Sequence, residues 1–266
     1  MEIMGYIASI FIGVALGLIG GGGSILTVPV LVYLFSVEAV EATAYSLFIV
    51  GLTSAVGSIT YFKTGLVNIK TAVIFGIPSI IAVFLTRAYV VPAIPQEIIT
   101  IGSLVITKGI LMMLLFALLM IAASYSMIKK ESPRGVDAEK VKQSFNYPII
   151  LLEGIVVGVL TGLVGAGGGF LIIPALVLLS KLPMKEAVGT SLVIIAAKSL
   201  IGFAGEGDET IINWSLLFIV SSFAIFGIVI GSLISKRIDG AKLKPAFGWF
   251  VLVMGIYIII KETVLK

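Results

Sequence analysis

Long apolar segments alternate along the chain with short polar ones. Eight of them have the length of a membrane-spanning helix, which needs about 20 apolar residues: 3–19, 40–62, 69–90, 104–128, 147–164, 187–204, 212–235 and 243–260. Two more, at 24–35 and 169–180, are too short to span, since a helix of that length extends only about 18 Å. The pattern predicts an all-α polytopic membrane protein.

The composition supports a membrane protein and excludes several kinds of site. Hydrophobic residues make up 59% of the chain and charged residues 12%, about half the charge of a soluble domain. The chain contains no cysteine and no histidine, which removes thiolate sites, the commonest metal ligand and the commonest general base. Because the HExxH and GxSxG motifs are also absent, we expect no enzyme activity, no cofactor and no metal site.

The chain also aligns with itself. A shift of 145 residues superimposes segment 17–23 on 162–168 and segment 41–47 on 186–192 without a gap, and Asn68 on Asn213. Two membrane segments share Leu, Ile, Val and Gly by composition alone, but the agreement of Gly, Pro, Glu, Ser and Asn over more than 50 positions exceeds what this explains. We therefore predict an N-terminal membrane repeat at 1–128, a polar linker at 129–146 and a C-terminal membrane repeat at 147–266, with five helical segments in each repeat.

The distribution of charge predicts the orientation of these repeats. The linker carries five basic residues, Lys129, Lys130, Arg134, Lys140 and Lys142, and basic loops face the cytoplasm. The acidic loop around Glu206 then lies outside, as do both termini of a protein in the cytoplasmic (inner) membrane. Each half changes direction an odd number of times, so the two repeats are predicted to be inverted, as in many secondary transporters.

Two glycine clusters separate a long helix from a short one at equivalent places. We name residues 20–24 the first hinge and residues 165–169 the second hinge. Irregular backbone at membrane depth persists only where it lines a cavity or is packed by protein, and the start of the following helix attracts anions. Tight helix packing is the alternative. The predicted substrate-binding residues are Gly21, Gly22, Gly23, Ser24, Gly167, Gly168 and Gly169.

Lys198 lies about twelve residues into an apolar helix. A cation at this depth is costly unless it meets a cavity, a carboxylate or an anionic ligand. We predict that Lys198 is a counter-charge for the substrate. A structural ion pair and a side chain that reaches the outer surface are the alternatives.

Other polar residues near the hinges offer hydroxyls and carboxylates. Ser46, Thr190 and Ser191 lie about one turn into equivalent helices and are predicted to contact an oxyanion. Glu153 and Glu186 are candidates for proton coupling, although Glu186 also suits the N-terminus of its helix.

Two motifs resemble those of a known protein family. The pattern G-L-(I/V)-G-x-G-G occurs at 17–23 and 162–168, each followed by a proline, and the string Ala-Val-Gly-Thr-Ser-Leu stands at 187–192. Over about residues 6–260 the chain resembles the sulfite exporter TauE/SafE family, also called the toluene sulfonate uptake permease group. The first copy of the string departs from the pattern, with Tyr45 at the position of Thr190. A role that Thr190 has in the C-terminal half is therefore expected to be lost or altered in the N-terminal half.

The resemblance implies transport of sulfur oxyanions or organosulfonates. Our hypothesis is a secondary transporter of small sulfur-containing anions, such as sulfite, thiosulfate or sulfoacetate, that uses alternating access with proton coupling. A passive anion channel of the same architecture is the alternative. The expected partners are membrane lipid and the anion but no nucleic acid, because the basic residues follow the membrane topology. The direction of transport and the oligomeric state stay open, a homodimer included.

Overall fold

A computed structural model describes residues 2–21, 23–101, 104–128, 147–165, 167–178, 182–206, 212–235 and 240–263. The helices of the N-terminal half are α1 (Glu2–Ile19), α2 (Ser24–Leu34), α3 (Ala39–Lys63), α4 (Ile69–Ala93) and α5 (Lys108–Ile128). Those of the C-terminal half are α6 (Tyr147–Val164), α7 (Gly169–Leu178), α8 (Met184–Ala204), α9 (Trp214–Ser235) and α10 (Gly240–Thr263). The predicted linker, 129–146, lies outside the described residues.

The all-α polytopic architecture is confirmed. Each half has four long helices and a short one in second place, as the apolar pattern predicts. Five helices in the described part of the chain, α3, α4, α5, α8 and α9, are long and apolar enough to cross a membrane.

One boundary was predicted wrongly. Residues 104–107 form a strand, β2 (Leu104–Thr107), which pairs antiparallel with β1 (Glu97–Ile101). Residues 97–107 are rich in Ile, Val and Thr, and β-branched residues favour strands. The fourth long helix of the first half therefore begins at Lys108.

The long helices pair across the two halves of the chain. α1 packs on α9 and α4 packs on α6, while α3 packs on α8 and α5 on α10. The pairs α1–α9 and α4–α6 are equivalent, because each joins the first helix of one half to the fourth helix of the other. The pairs α3–α8 and α5–α10 each join a helix to its own repeat mate. The two halves therefore interleave and do not form separate units.

Glycines bring the helix backbones together in equivalent pairs. A Cβ on Gly13 of α1 would overlap the carbonyl oxygen of Ala224 in α9. At the positions 145 residues away, a Cβ on Gly158 of α6 would lie 2.6 Å from the carbonyl oxygen of Ser79 in α4. Both helix pairs thus depend on the same absence of a side chain, which is a common basis of helix packing in membranes.

The repeat mates α3 and α8 run antiparallel. Gly51 of α3 faces Leu200 of α8, whereas a Cβ on Gly57, further along α3, would lie 3.6 Å from Leu192, which comes earlier in α8. A two-fold axis perpendicular to both helices relates such a pair. Antiparallel mates are what an inverted duplication requires, and the inversion across the bilayer stays a prediction.

Replacing Gly13 by Ala should destabilise the protein, because the added methyl group meets backbone that cannot move without separating α1 from α9. Overpacking of this kind costs about 1–3 kcal/mol. Gly76→Ala is the matched control, since its Cβ would lie 3.7 Å from Ile194 Cγ1, an ordinary contact distance. Thermal unfolding in detergent should show a lower midpoint for Gly13→Ala only, and equal midpoints for the two variants would contradict the packing argument.

Candidate functional site

Both glycine hinges interrupt the helices at the predicted places. α1 ends at Ile19 and α2 begins at Ser24, while α6 ends at Val164 and α7 begins at Gly169. Among the described hinge residues, the backbone has positive φ at four: Gly20 (79°), Gly165 (72°), Gly167 (63°) and Gly168 (71°). Only glycine adopts this conformation without strain. The predicted binding residue Gly22 lies outside the described residues.

The two hinges touch each other. A Cβ on Gly21 would overlap the backbone of Gly169, and a Cβ on Gly169 would overlap Gly21. A Cβ on Gly23 would likewise overlap the carbonyl oxygen of Ile12. Ser24 donates to the carbonyl oxygen of Gly21 through its N–H (3.3 Å) and its Oγ (2.7 Å). In this conformation the contact leaves no space for an oxyanion between Gly21 and Gly169, and the N–H of Ser24 is occupied.

Lys198 lies beside the second hinge and is fully buried. Its Nζ donates to Thr161 Oγ1 at 3.1 Å and lies 2.6 Å from the position of a Cβ on Gly168. Full burial is inconsistent with a side chain that reaches the membrane surface. Within the described part of the chain no carboxylate pairs with this ammonium group. A neutral hydroxyl does not offset the cost of burying a charge, so the site is suited to an anion.

The first hinge lacks this cation. The repeat mates of Lys198 and Thr161 are Thr53 and Leu16. Thr53 donates to a carbonyl oxygen of its own helix at 2.6 Å, and Leu16 Cγ lies 2.7 Å from the position of a Cβ on Gly23. The backbone of the site is duplicated, but its charge is not.

The three side chains predicted to offer hydroxyls to an oxyanion have different surroundings. Ser46 is fully buried and its Oγ has no hydrogen-bond partner. Ser191 Oγ lies 3.1 Å from the position of a Cβ on Gly20, next to the first hinge. Thr190 Oγ1 instead accepts the N–H of Asn68 at 2.9 Å, so this hydroxyl joins α8 to the start of α4 and does not face a hinge in this conformation.

The residue that departs from the family string makes the equivalent contact. The hydroxyl of Tyr45 accepts the N–H of Asn213 at 2.7 Å, and these two residues are the mates of Thr190 and Asn68. Tyr45 thus provides at the start of α9 the acceptor that Thr190 provides at the start of α4. The contact is retained in the N-terminal half with a different side chain.

The two predicted proton-coupling residues stand apart from the hinges. Neither Glu153 nor Glu186 makes a hydrogen bond or an ion pair with the residues that the structure describes, and both are partly exposed. Glu186 lies twelve residues before Lys198 on α8, about 18 Å along the helix. Glu153 lies eight residues before Thr161 on α6, about 12 Å away. Their role in coupling stays a prediction.

Two further polar residues were not predicted: Ser199 at the second hinge, and Arg87, which reaches that hinge through Thr43. Ser199 Oγ has no partner and lies 3.1 Å from the position of a Cβ on Gly167. Arg87 of α4 is fully buried, and its Nη1 donates to Thr43 Oγ1 at 3.0 Å. An arginine inside an apolar segment of spanning length was the signal that could have identified it.

The helices and hinges define an all-α polytopic membrane protein. The family model "Sulfite exporter TauE/SafE" matches residues 6–258. A "Probable membrane transporter protein" of Xylella fastidiosa (strain Temecula1) is 30% identical over 253 residues, which cover 93% of this chain and 91% of the relative. The "Probable membrane transporter protein YunE" of Bacillus subtilis is 29% identical over 254 residues, covering 89% and 90%. No solved structure matches.

The chain belongs to the sulfite exporter TauE/SafE family. It is a membrane transporter of that family and not an enzyme.

Replacing Thr161 by Val removes the one hydroxyl that the ammonium of Lys198 contacts. We expect a loss of about 1–3 kcal/mol in unfolding free energy, the cost of a buried polar group left without a partner. In a Lys198→Met background the same change should be close to neutral. Thermal unfolding midpoints of the four proteins of this double-mutant cycle provide the measurement.

Thr53→Val is the matched control, because Thr53 bonds only to its own helix. The pairing would be refuted if Thr161→Val had the same effect with and without the lysine.

Proposed function

We propose that the protein is a secondary transporter of small sulfur-containing anions, namely sulfite, thiosulfate or organosulfonates such as sulfoacetate. The observation that carries this proposal is the fully buried ammonium of Lys198, which contacts a glycine hinge and a hydroxyl. The name of the family, sulfite exporter, supports the substrate class.

The second hinge provides donors of the kind that a sulfur oxyanion needs. Such an anion has only hydrogen-bond acceptors, and the ammonium of Lys198, the hydroxyl of Ser199 and the N–H groups of 167–169 are donors. The glycines allow an oxygen atom to approach the backbone. The anion binds when the contact between Gly21 and Gly169 opens.

The way in which the helices pair supports alternating access. α1–α9 and α4–α6 are held by backbone contacts at glycines, so each pair moves as a unit that contains one helix from each half. The first hinge continues from α1 and the second from α6. When one pair rocks against the other, the two hinges move apart, and the space between them opens to one side of the membrane at a time, as expected for inverted repeats. Protons are the proposed coupling ion, with Glu153 and Glu186 as the candidate carriers.

Reconstituted wild-type protein should accumulate sulfite or thiosulfate in liposomes when a pH gradient is applied. Lys198→Ala should reduce the initial rate at least tenfold, because the buried counter-charge is lost. Lys63→Ala, an exposed change at the end of α3, should retain the wild-type rate.

Unchanged flux in Lys198→Ala would remove this residue from the mechanism, and absence of flux for every sulfur anion would reject the substrate class. Ohmic single-channel currents without accumulation would identify a passive channel instead.

The proposed topology places both termini outside and the linker in the cytoplasm. Single cysteines at the repeat mates Glu38 and Pro183, both exposed, should react with an impermeant maleimide from opposite sides of the membrane. The chain has no cysteine of its own, so labelling of right-side-out and inverted vesicles reports each position separately. Glu38→Cys should react from outside and Pro183→Cys from the cytoplasm. Reaction of both from the same side would refute the inverted repeat.

A further inference from the structure

Arg87 heads the fully buried side chains of the described chain when they are ordered by size. It lies in a π-helical segment, Thr86–Val90, that interrupts the α-helical geometry of α4. Such segments are rare and occur frequently at functional sites, because the wider turn redirects side chains. A buried guanidinium at this place therefore calls for a ligand or a full set of partners.

The protein satisfies only part of this guanidinium. Nη1 donates to Glu206 Oε1 at 2.7 Å and to Thr43 Oγ1 at 3.0 Å. Nε and Nη2 are buried and have no hydrogen-bond partner. The N–H groups of these two nitrogens lie parallel along one edge of the guanidinium plane, which is the geometry that binds two oxygens of one oxyanion.

The unpartnered edge is costly, because buried donors on a charged group lose hydration without replacement. Glu206 offsets part of this cost by pairing with Nη1. The side chain of Glu206 is 11% exposed, so the ion pair lies at the edge of the buried region. The remaining edge matches an anion with two oxygens on one central atom, as in sulfite and sulfonates.

Arg87 is also connected to the second hinge. Thr43, which accepts a hydrogen bond from Nη1, lies against Gly165, where a Cβ would overlap the carbonyl oxygen of Thr43. Arg87 Cβ lies 3.3 Å from the position of a Cβ on Gly205, just after α8. One residue thus separates the guanidinium from the hinge at which Lys198 is found.

The equivalent place at the first hinge carries no charge. The repeat mates of Arg87, Glu206 and Thr43 are Ser232, Tyr61 and Val188. Ser232 bonds to the carbonyl oxygen of Val229 at 2.9 Å, and the hydroxyl of Tyr61 donates to the carbonyl oxygen of Gly17 at 3.5 Å. The duplicated fold does not need an ion pair at this position, so a structural requirement of the fold does not explain Arg87 and Glu206.

We propose that Arg87 is a second binding station for the transported oxyanion, distinct from Lys198. Nε and Nη2 bind two oxygens of the anion, and Glu206 competes with the anion for the guanidinium. The identity of the anion rests on the proposed function, whereas the existence of the station does not. In the proposed topology the station belongs to the outer end of the pathway.

The test uses Arg87→Lys, which keeps the positive charge but lacks the two parallel donors. We expect the KM for sulfite in liposome flux to rise at least tenfold, and the thermal shift caused by sulfite in detergent to become smaller. Glu206→Gln removes the competing charge and should lower the KM about threefold. A purely structural ion pair predicts lower stability in both variants without a change in KM, and that result would overturn the proposal.

The binding assay separates this proposal from the proposed function. Lys198→Ala should lose flux but retain a sulfite-dependent thermal shift, and adding Arg87→Lys to that variant should abolish the shift. A shift that depends on Arg87 in a protein that transports no sulfur anion would support the station and reject the proposed function. An Arg87→Lys protein with wild-type shift and wild-type KM would reject the station alone.

Discussion

Close approach of backbones at glycine is the constraint on which the rest of the structure depends. In a bilayer, helices associate mainly through packing of small residues, because the surrounding lipid is as apolar as their side chains. Gly13 and Gly158 hold the pairs α1–α9 and α4–α6 together, and Gly21 with Gly169 joins the hinges. Each helix pair takes one member from each half, so a side chain at these positions would separate the halves.

The duplicated backbone carries charge at only one of its two hinges. Lys198 lies next to the second hinge and Arg87 one residue away from it, while their mates Thr53 and Ser232 are neutral. Lys198 has a hydroxyl but no described carboxylate as its partner, and Arg87 is paired with Glu206 at one nitrogen only, so both buried cations favour an anion beside them. The repeat supplies a glycine hinge twice, but only the second hinge is suited to anions. This difference in charge distinguishes the two ends of the proposed pathway.

Local properties of the chain were predictable, whereas its long-range contacts were not. Segment length and glycine content predicted the helices and both hinges, because each depends on neighbouring residues only. Strand β2 was missed, since a short apolar run rich in β-branched residues fits either a helix or a strand. The hydrogen bond that Thr190 accepts from Asn68, 122 positions away, could not be predicted from the sequence, and the contact of Thr190 with the anion stays a prediction. The ion pair of Arg87 with Glu206 could not be predicted either, because the two residues lie 119 positions apart.

The two ends also differ in what must be broken to open them. On the proposed mechanism, opening at the first hinge separates the hydroxyl of Tyr61 from the carbonyl oxygen of Gly17, a long contact of 3.5 Å that contributes about 1 kcal/mol or less. On the same mechanism, opening at the second hinge separates Arg87 from Glu206, and removing one partner of a buried ion pair costs about 3–5 kcal/mol. An oxyanion bound at Nε and Nη2 of Arg87 offsets that cost, because it stays paired with the guanidinium after Glu206 has moved away. On the proposed mechanism, the empty protein therefore opens more readily at the first hinge, and opening at the second hinge becomes coupled to the presence of the anion.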